Sequence, residues 1–130
     1  MAANPQGPIL WAETLPAGAD LSAKQFYFVK RSANTYVLCS AITDVPDGVL
    51  QNKPESGEMC EVLAFGPTKL CVVDATAVGT RVSTDANGRG VVAASTSYVA
   101  GKTVHAHVAS VTSYPITSAF VNLINPPLMA

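Results

Sequence analysis

No window of about 12 residues in this chain repeats its apolar positions at helical spacing. Short alternating or β-branched runs are instead cut every few positions by glycine, proline, asparagine or aspartate. A chain punctuated in this way is expected to fold as β-strands joined by tight turns. Ile9 to Leu15 reads as a first strand, broken by Pro16-Ala17-Gly18-Ala19-Asp20. Lys24 to Arg31 places Phe26 and Phe28 on one face and Gln25, Tyr27 and Val29 on the other, the two-residue period of a strand. Ser32-Ala33-Asn34 then turns the chain into Thr35 to Ile42. After the turn cluster Asp44 to Gly48 come Gly48 to Gln51 and the loop Asn52 to Gly57.

Glu58 to Phe65 and Thr68 to Asp74 read as a hairpin around Gly66-Pro67. Thr80 to Thr84 and Gly90 to Ala94 flank Asp85-Ala86-Asn87-Gly88, and Asn-Gly is among the strongest short hairpin signals. Thr103 to Val111 and Ser118 to Ile124 complete the set, which Asn125-Pro126-Pro127 stops. Met1 to Pro8, with two prolines, a glycine and no periodicity, is expected to be an extended arm, leaving residues 9–130 as a single β domain. The expected fold is all-β, a small barrel-like body behind an N-terminal arm.

Only 13% of the residues are charged, about half the usual share. Part of the surface must then be uncharged, which favours burial against a partner chain. A net charge of -1 with scattered cations gives no field for a phosphate backbone or an anionic lipid, so no nucleic acid or membrane partner is expected. No basic n-region with an apolar stretch opens the chain, and no apolar run approaches the ~20 residues of a membrane helix.

Little in the sequence suggests chemistry. Cys39, Cys60 and Cys71 lie in strand-like apolar runs without the C-x-x-C spacing of zinc or redox sites, and read as reduced, buried small hydrophobes. His105 and His107 project from one strand face, as two metal ligands would, but the sequence has no other histidine to add a third. Interface or solvent-facing histidines are the simpler reading. Asp85 to Gly88 begins like a calcium loop but lacks the later ligands. The acids fall mostly in turns, and no nucleophile beside a base is indicated, so no catalytic residue, cofactor, metal or small-molecule substrate is expected. Trp11, the only tryptophan, sits beside the arm and either packs into its own core or anchors the arm in a neighbour's pocket.

Three stretches carry a family likeness. They are Leu21-Ser22-Ala23-Lys24-Gln25-Phe26, the block Asp47 to Glu58 leading into Val62, and Asp85-Ala86-Asn87-Gly88-Arg89 before Val91-Val92. Over about residues 19 to 124 the chain resembles the capsid cement, or head-decoration, proteins of tailed bacteriophages. The Gly-Val-Leu-Gln-Asn-x-Pro block, Gly48 to Pro54, is the most distinctive piece. The resemblance implies a β-tulip body that assembles, commonly as a homo-trimer, on the outer surface of the capsid and fastens neighbouring major capsid proteins together. It implies a virion protein made in the host cytoplasm, with no catalytic residues to carry over. The ending Thr112 to Ala130, with Tyr114-Pro115-Ile116, departs from that family's small acidic ending. On this reading Asn4, Pro5, Pro8, Trp11 and Tyr114 are the candidate partner-binding residues. Two other readings remain: a tail or fibre module, and a carbohydrate-binding β-sandwich that would need Trp11, Tyr27, Tyr36, Tyr98 and Tyr114 to form a stacking platform.

Overall fold

The computed structural model describes residues 10–73, 77, 79–103 and 116–120. The strands are β1 (Leu10–Trp11), β2 (Leu15–Pro16), β3 (Phe28–Ser32), β4 (Thr35–Leu38), β5 (Gly48–Leu50), β6 (Met59–Cys60), β7 (Val62–Lys69), β8 (Arg81–Thr84), β9 (Gly90–Val92), β10 (Gly101–Thr103) and β11 (Ile116–Phe120). No helix occurs among the described residues, and the fold is all-β.

The main sheet is antiparallel in the order β4-β3-β5-β7-β11-β10-β8-β9, with β1 also paired to β7. β2 and β6 form a separate two-stranded ribbon. Among the described residues no barrel closes by strand pairing, yet the β9 edge is not bare. Gly90 donates its N–H to the Cys71 carbonyl at 2.7 Å and accepts from the Val73 N–H at 3.0 Å. The Gly88 carbonyl accepts from the Phe28 N–H at 2.7 Å, so the β8–β9 hairpin is laid back against β3 and the segment after β7. Backbone groups that would otherwise form an open edge are satisfied in this way.

Burial on both faces of the sheet explains much of the low charge. In β3, Phe28 enters a cluster with Cys39, Val49, Leu70, Val72, Val82 and Ala100, while the next residue, Val29, enters a second cluster with Ala17, Leu21, Tyr36, Leu50, Cys60 and Val62. In β5, Val49 and Leu50 divide the same way. Successive side chains point to opposite faces, so both faces here are core. The apolar residues Phe28, Val29, Val49 and Leu50 are therefore all interior. Each such side chain contributes about 1.5–3 kcal/mol of burial.

Several sequence expectations change. Gly66-Pro67 is not a turn: β7 runs straight through it and pairs with β11 from Phe65 to Lys69. Gly66 adopts φ of 126°, and Pro67, which has no N–H, lies beyond Phe65, where the pairing with β1 ends. Pro16, expected to break a strand, pairs with Met59 in the β2–β6 ribbon. The chain from Lys24 to Tyr27 is a turn closed by a Tyr27 N–H bond to the Lys24 carbonyl, so β3 begins only at Phe28.

That turn forces Phe26 to φ of 67°, the left-handed region that β-carbons disfavour. It is held there because its N–H donates to the Leu50 carbonyl at 2.7 Å, its carbonyl accepts from the Cys71 N–H, and its ring packs on the first cluster under the Lys69 ammonium. Both Phe26→Ala and Phe26→Gly lose this packing, but only glycine relieves the strain. Urea unfolding should therefore find the alanine variant less stable than the glycine variant by about 1 kcal/mol, the reverse of their usual order. Equal stabilities, or a more stable alanine variant, would show that the backbone stores no strain at this position.

Candidate partner-binding surface

The segment from Leu10 to Gly18 is stitched to the body. Trp11 pairs with Leu63 in the β1–β7 ladder, and the Ala12 N–H donates to the Val62 carbonyl at 2.8 Å. The Ala17 N–H donates to the Glu58 carbonyl, and the Gly18 N–H to the Tyr36 carbonyl. Between these points the Tyr36 hydroxyl donates to the Glu13 carbonyl at 2.7 Å, and Arg31 reaches the Glu13 carboxylate at 3.0 Å. The ion pair is exposed at both ends and adds little. The buried tyrosine is the stronger pin, since its ring fills the second cluster.

The ladder shifts register between Leu10 and Trp11. Such an irregularity re-aims a side chain. Trp11 is 54% exposed, so the reading that packs it into its own core is corrected: the indole stands outside the body on a backbone that is already fixed. Presenting a large ring from an ordered segment lowers the entropy lost on binding. Asn4, Pro5, Pro8 and Tyr114 lie outside the described residues, as do His105 and His107.

Among the described residues, sequence reasoning missed three other exposed large apolar residues, Met59, Ile42 and Val92. Met59 stands on β6, opposite Pro16. Its position was legible in principle: Cys60 and Val62 point inward, so Met59 and Glu61 share the outward face. Ile42 sits in a turn locked by Asp44, whose carboxylate accepts the N–H groups of Ser40 and Ala41 at 2.7 and 3.0 Å and the Lys30 ammonium at 2.8 Å. Burial pushes the Asp44 pKa up, but these donors outweigh it and leave the carboxyl below its ordinary value.

Asp85 is similarly engaged: it accepts the N–H groups of Asn87 and Arg89 and pairs with the Arg89 guanidinium at 2.9 Å, closing the expected β8–β9 turn. Cys39 is buried, which together with the nearby Asp44 carboxylate pushes its thiol up to about 12. Burial also raises Cys60 and Cys71. Thiols raised in this way are poor nucleophiles at neutral pH. No group of three or more His, Cys, Asp or Glu able to hold a metal ion is present among the described residues. For the stacking platform, Tyr36 is buried and Tyr27 lies under the Lys24 ammonium, 5.1 Å from its ring centre. Tyr36 therefore offers no exposed ring face for such a platform.

No family model matches the sequence, and no curated protein matches it. The fold is similar to that of the head fiber gp8.5 N base of bacteriophage phi29, with a TM-score of 0.58 over 90% of this chain and 99% of that one. Sequence identity across the match is 15%, so the likeness is one of fold.

Proposed function

We propose that this chain is a structural protein of a tailed-phage virion that attaches to the outside of the head. The observation that carries this reading is the fold match, which spans nearly all of a head fiber base module and most of this chain. The family resemblance of the Gly48 to Pro54 block points to the same particle surface by a separate route. On this reading the chain performs no catalysis and takes no cofactor. It binds the assembled major capsid protein as a homo-trimer and adds its binding free energy to the stability of the lattice. Trp11, fixed on β1, is the anchor, with the arm that carries Asn4, Pro5 and Pro8 extending the contact. Oligomerisation makes later contacts intramolecular, so weak single sites suffice.

A second reading shares the location but not the role: the module is the base of a head fibre and carries a distal part, as the name of its structural neighbour suggests. Gold-labelled antibody on intact particles tests the location, with label expected on the head shell, and label confined to the tail would overturn both readings. Heating shells with and without the protein separates the two. A cement raises the temperature at which the shell opens, whereas a fibre base leaves it unchanged.

A further inference from the structure

The chain's lysines and arginines are all among the described residues, and most are neutralised or covered. Lys30 pairs with Asp44, Arg31 with Glu13 and Arg89 with Asp85. Lys24 and Lys69 lie over the rings of Tyr27 and Phe26. Lys53, Arg81 and Lys102 make no ion pair among the described residues, and of these three Arg81 and Lys102 stand together. They are direct cross-strand partners in the antiparallel β8–β10 ladder, which puts both side chains on one face of the sheet, and both are exposed. Neither has a carboxylate within ion-pair distance among the described residues, and Asp74 is the only acidic side chain outside that set. The positions level with them, Ala93 on the β9 side and Ser118 on β11, are uncharged.

Like charges facing each other across two strands repel, so this placement costs the isolated fold stability instead of adding to it. The repulsion is relieved when an anion sits between them. Two cations this close suit a carboxylate, with the planar guanidinium able to take it bidentately and the ammonium supplying a second charge. We propose that the Arg81–Lys102 face is a docking surface for an acidic patch of the partner protein. The inference rests on the head-binding reading above and names the chemistry of a contact separate from Trp11. Charge complementarity selects the occupant: a sheet face holding two adjacent cations, unneutralised among the described residues, matches an acidic protein surface. Contacts of this kind raise the association rate and weaken with salt.

The test is a pair of measurements on Lys102→Glu. In the isolated protein the substitution replaces repulsion with an Arg81–Glu attraction, so the melting temperature should rise or hold. In co-sedimentation with assembled heads at low salt, affinity should fall about tenfold or more, and Arg81→Glu should do the same. Opposite movement of stability and binding is an outcome that misfolding does not produce. Wild-type binding that survives both reversals would overturn this inference while leaving head attachment intact; no wild-type binding at all would overturn both. Retention of the wild type by duplex DNA, lost in Lys102→Glu, would assign the face to phosphate and also overturn the inference. If Asp74 already neutralises the pair, Asp74→Asn lowers the melting temperature and Lys102→Glu lowers it too, which would likewise count against it.

Discussion

Gly48→Ala should destabilise the protein by about 3 kcal/mol or more, a large part of the roughly 5–15 kcal/mol that holds a domain of this size together. A β-carbon at position 48 would stand 2.3 Å from the Val62 Cγ1 and 2.6 Å from the Leu63 carbonyl oxygen. Neither neighbour can give way cheaply. Val62 is buried in the second cluster, and Leu63 is backbone-paired to both Val49 and Trp11. Nor can β5 move, since it is held between β3, through Val29 opposite Gly48, and β7. Gly57→Ala serves as the control. Gly57 has φ of 85° but open space where its β-carbon would go, so alanine there meets strain without a clash and should cost only about 1 kcal/mol. Denaturant unfolding that ranks the two variants equally, or finds Gly48→Ala within 1 kcal/mol of wild type, would contradict the close packing of β5 against β7.

Removing Tyr36 should have the second large effect. Tyr36→Ala empties the largest fully buried side-chain volume in the described residues and should cost about 3–5 kcal/mol. Tyr36→Phe keeps the ring and loses only the hydroxyl bond to Glu13, at a cost of about 0.5–1.5 kcal/mol. The milder variant carries the functional information. Glu13 sits two residues from Trp11, so releasing its carbonyl loosens the segment that presents the indole. Because Trp11 is the only tryptophan, its fluorescence anisotropy reads this directly and should fall in Tyr36→Phe. Unchanged anisotropy would mean that the β1 ladder alone fixes the indole.

These effects bear on how far the residue pattern reaches. Turns with their own side-chain chemistry were legible: Asp85 captures the amides of Asn87 and Arg89, and the Ala33-Asn34 hairpin needs only local geometry. Position 66 was not, because Gly-Pro signals a turn locally and only the distant pairing with β11 keeps β7 extended through it. Lys24 to Tyr27 failed for the same reason. Its alternation is that of a strand, but bonds from Phe26 to Leu50 and Cys71 impose a turn. Val49 and Leu50 are adjacent apolar residues, which a one-faced sheet would not want; a core on each face explains them. Within the candidate surface, Trp11 was recognisable as a residue type suited to anchoring. Its exposure was not recognisable, because it depends on the register shift beside Leu10. The Arg81–Lys102 pair joins residues far apart in sequence, and only the β8–β10 register brings them face to face.

Attachment to an assembled shell, as opposed to its separate subunits, is the claim on which the functional reading stands. Purified protein should be sedimented with assembled heads and, in parallel, passed with unassembled shell subunits over a sizing column. It should pellet with the heads at a fixed, saturating number of copies and elute apart from the free subunits. A protein that remains in the supernatant as a monomer, or that binds free subunits as tightly as the assembled shell, would contradict it.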